Sequence, residues 1–253
     1  MDSLTIIGFM LGVTAILAGQ YIDGGQLSML LNVPALIIVL GGTFGAVLLE
    51  SPHFVFKRAL EIFPWVIFPP DKHYYKDLKN IIHWSILARN EGMLSLEKFL
   101  TSDEISSYTR RGLQLIVDGH SSDVIRDIMM HELDVREVKD LQAARVFESM
   151  GGYSPTIGII GAVLGLIHIL GSLNKPELLG PGIAVAFVAT IYGVAFANIF
   201  CIPVSKKLKN QILNRTIQNS MIMEGICAIA KGEHPQAIEY KLLSYVSDDN
   251  AAA

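Results

Sequence analysis

Charge is missing from four long stretches of this 253-residue chain: Leu4–Tyr21, Val33–Leu49, Pro155–Leu173 and Leu178–Val204 contain no Asp, Glu, Lys or Arg. That absence bears on ion transport, because proteins that move ions usually hold an ionisable residue at membrane depth. Cysteine is scarce as well. Cys201 and Cys227 are the only two, which leaves no disulfide framework and no metal-ligand spacing, and makes two buried thiols the expectation. No Lys or Arg precedes the first apolar run, so it lacks the basic start of a secretory signal and reads as a retained span. Signatures of covalent catalysis are missing too. His131-Glu132 opens like a zinc-protease motif, but Val135 stands where the second His belongs. Gly158, Gly161 and Gly165 do not make the dinucleotide-binding GxGxxG, and no Ser or Cys sits in a nucleophile elbow. The net charge of −4 argues against nucleic acid, which usually demands a basic patch. The chain is therefore expected to be no enzyme and to hold no metal or cofactor.

What is present is an apolar chain that still carries many charges. Hydrophobic residues make up 51% and mean hydropathy is +0.43, alongside 20 basic and 24 acidic residues. Both facts hold if membrane and aqueous parts are separate. Each charge-free run approaches the ~20 residues a helix needs to cross a ~30 Å hydrocarbon layer. In the last two, small residues recur: Gly158, Gly161, Ala162 and Gly165 along one, and Ala186, Ala189, Thr190, Gly193 and Ala197 along the other. Membrane helices gain no hydrophobic drive to associate, so close backbone approach through such residues does that work. The stretch Tyr153–Lys207 thus reads as a helical hairpin built for packing.

Basic residues set the orientation, since they concentrate on the cytoplasmic side. Thirteen of the 20 lie between Lys57 and Arg145 and six from Lys206 onward, while the loop IDGGQLSMLLN after the first run has none. Lys175 falls in the turn between the third and fourth runs. Both termini and one large loop are then cytoplasmic. The expected fold is an all-α integral membrane protein with four spans. Its segments are a transmembrane hairpin at 1–50, a cytoplasmic helical domain at 51–152, a second hairpin at 153–205 and a cytoplasmic tail at 206–253.

Within the loop, Leu78, Ile81, Ile82 and Ser85 share a helical face, Gly92 reads as a weak point or cap, and Thr101-Ser102-Asp103-Glu104 suits a helix start. A turn falls at Asp118-Gly119-His120, followed by a helix from about Ser122. Pro34 suits the first turn of the second span. Pro155 is placed to begin a helix and Pro203 to kink one. The tail Lys206–Val246 reads as helical, and Ala251–Ala253 as a scar or frayed end. Few polar groups remain inside the spans: His168, and hydroxyls chiefly of Thr14, Thr43 and Thr190. If this chain lines an ion path, the carboxylate comes from another protein.

Several ordered blocks, YSPTIGIIGAVLGLI, LGPGIAVAFVATIYGVAFAN, IPVSKKLK, LARNEGMLSLE and LIVDGHSSDVIRDIMMHEL, together resemble the MotA/PomA family of flagellar stator proteins over nearly the whole chain. The resemblance implies a bacterial inner-membrane protein that forms a homopentamer around a dimer of a MotB/PomB-type partner. That partner brings one membrane helix with an ionisable Asp and an anchor to peptidoglycan. Ion flow at the Asp turns the ring, whose cytoplasmic loops push on the rotor protein FliG. Carried over residue by residue, Arg89 and Glu97 match the rotor-facing charged pair. Eight residues apart, they share a side if their helix is continuous. Many relatives have a second basic residue where this chain has Asn90. Pro155 and Pro203 match the two prolines at the cytoplasmic ends of spans three and four, with a hinge role. Thr190 matches the polar position facing the partner helix. Sodium-driven members place a Thr in a GTLVGL-like block of span three, where this chain has Ala162 in GAVLGL. Sodium, a hard cation, wants several oxygen ligands, so one fewer hydroxyl favours H+ over the alternative, Na+.

Other readings stay open: an ExbB/TolQ-like energiser of outer-membrane transport, a self-contained channel or transporter, and a structural membrane scaffold. The spans at Leu4–Tyr21 and Val33–Leu49 weigh against the first, whose members have three spans and a different charge layout, and the lack of intramembrane charge against the second.

Overall fold

A computed structural model describes residues 3–70, 73–102, 104–171 and 179–246. The expected sites at Asp103, Lys175 and Ala251–Ala253 lie outside the described residues. Among those described, the chain is all helix, with no strand. Nine α-helices occur in order: α1 Ser3–Ile22, α2 Val33–Glu50, α3 His53–Ile62, α4 Tyr74–Glu91, α5 Ser107–Val117, α6 Ser122–Leu170, α7 Leu179–Ala195, α8 Ile202–Ala230 and α9 Pro235–Val246. A π-helical turn at Phe196–Cys201 joins α7 to α8, and another lies within α2 at Ile37–Gly41. Four helical segments are long and apolar enough to cross a membrane: α1, α2, one in α6 and one in the run Gly182–Ala230. The protein is a multi-pass membrane protein with its termini and large loop on the cytoplasmic side, where its Lys and Arg residues concentrate.

Packing divides the chain into two compact units, one of Met1–Pro69 with Lys139–Gln211 and the other of Pro70–Val138 with Ile212–Ala253. The four segments expected from the sequence divide the chain along its length, whereas these units divide it by contact. Helices α6 and α8 contribute to both.

In the first unit, α2 buries Ala35, Val39, Thr43 and Val47, four residues apart and so on one helical face. Its start is fixed by Asn32, whose Oδ1 accepts from the Ala35 amide at 2.9 Å, while Pro34 occupies the first turn as the sequence indicates. Ala35 and Val39 pack with Val188 and Ala189 of α7. The Tyr192 hydroxyl donates to the Leu30 carbonyl and accepts from the Asn32 amide, tying α7 to the loop before α2. By contrast, α1 buries no residue within the subunit. Helix α3 is amphipathic, with Val55, Ala59 and Ile62 buried. Its Arg58 donates through Nε to Asp140 at 2.7 Å, reaches Glu61 at 3.1 Å and lies over the Trp65 ring. The bond to Asp140 is the main cause holding the Arg58 pKa above its ordinary value.

The second unit is a helical bundle around Leu78, Ile81, Leu113, Met129, Ile226 and Leu242. Leu78, Ile81 and Ser85 are buried and Ile82 half-buried, on the face the periodicity predicts. Gly225 makes close approach possible, since a Cβ there would meet Ile81 Cγ2 at 2.7 Å. Ser122 Oγ donates to the Cys227 carbonyl at 3.0 Å, and the Tyr108 hydroxyl to Met129 O at 3.2 Å. Cys201 and Cys227 are both buried free thiols, and burial pushes the Cys227 thiol up in pKa, away from reactivity.

Three local expectations are corrected. Helix α5 starts not at the Thr101–Glu104 cluster but at Ser107, because Ser106 Oγ accepts from the Thr109 amide at 3.1 Å and satisfies the first turn. Pro155 does not begin a helix; it lies inside α6, where its missing N–H leaves the Gly151 carbonyl without its helical donor. The segment carrying Arg89 and Glu97 is not one helix. Gly92 adopts φ +87°, which ends α4, and Met93–Phe99 continues as a 3-10 helix. The argument that eight residues return to one side therefore does not apply to this pair.

Candidate functional site

The hairpin of α6 and α7 meets backbone to backbone. A Cβ built on Gly193 would lie 2.5 Å from the Ser154 carbonyl oxygen and 3.2 Å from the Cα atoms of both Gly158 and Pro155. One built on Gly158 would lie 2.9 Å from the Ala189 carbonyl oxygen and 3.4 Å from the Cα of Thr190. Toward the other end, Gly161 faces the Ala189 methyl and Gly165 faces Ala186. The glycines and alanines read from the sequence as packing residues are thus the ones in contact. With no side chain between them, the two backbones come close enough for dispersion and weak polar contacts to hold the helices.

Ser154 was not singled out by sequence reasoning. It is fully buried, and its Oγ donates across the hairpin to the Gly193 carbonyl at 3.0 Å. A serine before a proline carries no distinctive pattern, and only the tertiary contact gives it a partner. The effect is to anchor the turn beside Pro155, where the helix has lost its own hydrogen bond.

Thr190 and Ala162 are both half-buried. Thr190 lies against Gly158, and Ala162 is one turn beyond Gly158 on α6, so the packing brings the two expected ion-path positions to one region of one hairpin. Thr14 and Thr43 instead donate to the carbonyls of Met10 and Val39, at 2.7 and 2.6 Å, within their own helices. Pro203 is exposed and lies two residues past the end of the π-helical turn, whose carbonyls pair one residue farther along than in an α-helix. Pro155 and Pro203 thus each mark a place where the regular ladder is interrupted. Arg89 and Glu97 are both exposed, and neither joins an ion pair among the described residues.

No group of three or more His, Cys, Asp or Glu side chains able to hold a metal occurs among the described residues. Among the described residues of the hairpin's two apolar runs, the arrangement offers close packing, the hydroxyls of Thr156, Thr190 and Tyr192 and two interrupted ladders, with no Asp or Glu.

Four spans, a glycine-packed hairpin and a helical cytoplasmic unit define a polytopic membrane protein. Residues 6–89 match the motility protein A N-terminal family and residues 101–221 the MotA/TolQ/ExbB proton channel family. Motility protein A of Bacillus subtilis (strain 168) is 34% identical over 248 residues, 97% of this chain and 91% of that protein. Among solved structures, the fold is similar to a chain of C. jejuni MotAB, with a TM-score of 0.91, 29% identity and coverage of 97% and 96%. It is also similar to one in the flagellar MotAB stator complex from Bacillus subtilis, with a TM-score of 0.88, 32% identity and coverage of 99% and 98%. The chain belongs to the MotA/TolQ/ExbB proton channel family as a flagellar motor stator subunit, and it is not a catalytic enzyme.

Proposed function

We propose that this subunit forms a ring of five around a dimer of a MotB/PomB-type partner, conducts protons with it and turns against FliG. The observation that carries the reading is the absence of any acid within the two apolar runs of the hairpin, Pro155–Leu173 and Leu178–Val204. Its spans pack too closely to hold a solvated ion between them and contain no carboxylate, so the titrating group is the partner's Asp. Thr190 and Ala162 face that helix, Thr190 supplying the hydroxyl of a proton relay and Ala162 supplying room without a ligand. A proton needs only an acceptor and a relay, whereas a hard metal cation needs several oxygens to replace its water.

Pro155 and Pro203 act as hinges in this scheme. Each removes a backbone donor from a helix that runs from the membrane into the cytoplasmic part, which lowers the resistance to bending there. Arg89 and Glu97 meet the rotor. Their exposure and lack of intramolecular ion partners support this, because charges of that kind steer and register an encounter rather than supply large affinity. The match of residues 6–89 to the motility protein A N-terminal family supports this assignment over an ExbB/TolQ-like energiser.

Swimming of cells that depend on this subunit, measured in sodium-free medium with the proton gradient intact, tests the ion. Unchanged speed is expected. Immobility restored by sodium would assign the alternative ion.

A further inference from the structure

A second feature of the membrane-spanning unit is a cavity of about 650 Å³ between the start of α1, the segment Phe63–Ile67 and the junction of α7 with α8. Its wall is built from Phe9, Phe63, Phe200 and Pro203, among other apolar groups, and it contains no Asp or Glu. The polar groups on it are Thr5, Asn198 and Lys207; Lys207 donates to Thr5 and Asn198 to the Val194 carbonyl. That leaves little to hold ordered water, which needs two to four polar partners. The volume falls in the ~300–1,000 Å³ range of small-molecule sites.

Depth identifies what reaches it. The chain enters the membrane at Ser3 from the cytoplasm, and α8 leaves it toward the Lys206–Lys209 cluster, so the cavity lies in the cytoplasmic leaflet. Lys207 closes its rim, with its ammonium donating to Thr5 Oγ1. Lys206 beside it is exposed. At the inner face, the hydrocarbon tails of lipids are the abundant apolar molecules, and their headgroups lie at the level of these lysines. Basic residues placed just cytoplasmic of a span attract anionic headgroups.

We propose that this cavity is a phospholipid site, taking an acyl chain between Phe9, Phe63 and Phe200 and an anionic phosphate at Lys207. Gly8 is the position that controls entry. It lines the cavity, and a Cβ added there meets nothing within 4 Å, so a larger side chain would fill the lipid's space without displacing protein. Because Pro203 forms part of the wall, a bound chain also presses on one of the two interrupted ladders. The site follows from the membrane orientation alone and is independent of which ion the stator conducts.

The test uses the full-length protein, with the partner it co-purifies with, exchanged into bilayers of phosphatidylethanolamine and phosphatidylglycerol and examined by native mass spectrometry. Wild type is expected to retain phosphatidylglycerol about tenfold over phosphatidylethanolamine supplied at the same level. Gly8→Leu should lose the retained lipid. Lys207→Gln, at the rim where folding is not at stake, should keep a lipid but lose the preference for the anionic headgroup. Equal retention by wild type and Gly8→Leu, or an unchanged headgroup preference in Lys207→Gln, would overturn the proposal. So would a cross-link from Gly8→Cys to another protein helix in place of lipid. Failure of the proton-coupling test would leave these outcomes untouched.

Discussion

Gly193→Ala is a one-carbon change whose cost follows from the hairpin geometry. The new Cβ would stand 2.5 Å from the Ser154 carbonyl oxygen, and contact becomes ordinary only at 3.4 Å, so α6 and α7 must separate by about 0.9 Å. None of the three obstacles is a flexible side-chain end; they are backbone atoms of Ser154, Pro155 and Gly158. Overpacking of this kind costs about 1–3 kcal/mol. The separation also strains the Ser154 to Gly193 hydrogen bond at 3.0 Å, and such interhelical bonds in membranes contribute about 0.6 kcal/mol on average, up to ~1.7. Alanine also gains ~1 kcal/mol of helix propensity over glycine at this position, so the expected net loss is about 1–3 kcal/mol. Gly45→Ala is the matched control, because a Cβ there meets nothing within 4 Å and alanine gains ~1 kcal/mol of helix propensity over glycine. Thermal unfolding of the purified stator should thus move in opposite directions for the two variants, downward for Gly193→Ala and level or upward for Gly45→Ala. Equal melting temperatures would refute the close-packed hairpin and with it the reading of these glycines.

Further expectations concern the hinge, the cytoplasmic bundle and the rotor face. Pro203→Leu restores a backbone donor after the π-helical turn; insertion and assembly should be normal and torque reduced, and normal swimming of that mutant would count against the hinge. Asp77 has its pKa held above the usual 3.8 mainly by desolvation, against an opposing hydrogen bond from Gln218 at 2.6 Å. A carboxyl whose folded pKa is raised lowers stability at pH above both values, and the penalty disappears as pH falls through the folded pKa toward 3.8. Asp77→Asn should then stabilise the protein at pH 7 and flatten the rise in stability on mild acidification, as read by hydrogen exchange of α4; a loss of stability at pH 7 would contradict the desolvation argument. Arg89→Glu should slow motility while changing stability by less than about 0.5 kcal/mol, as exposed substitutions do; a large fall in melting temperature would make Arg89 structural instead.

Much of the architecture was legible in the residues because the bilayer constrains them strongly. Backbone polar groups must be paired inside the hydrocarbon layer, so each charge-free run could only be a helix, and the Lys and Arg distribution then set its direction. The small residues of α6 and α7 identified the hairpin for the same reason. Pro34, Gly92 and Gly119 marked local boundaries through backbone preferences that depend on few neighbours. The shared side for Arg89 and Glu97 required a continuous helix, and whether Gly92 ended it depended on its positive φ, which only the structure shows.

The sequence by itself determined the four spans, their orientation, the helical cytoplasmic part and the absence of an acid within the membrane, since each follows from local composition and the energy of burying charge. Only the tertiary structure decided that α6 passes unbroken through Pro155, that Ser154 bonds the Gly193 carbonyl beside it, and that α1 leaves a cavity against Phe63 and Phe200. Those features depend on which backbone atoms meet across segments far apart in the chain. Helix packing sets that distance to within tenths of an ångström, and no local pattern records it.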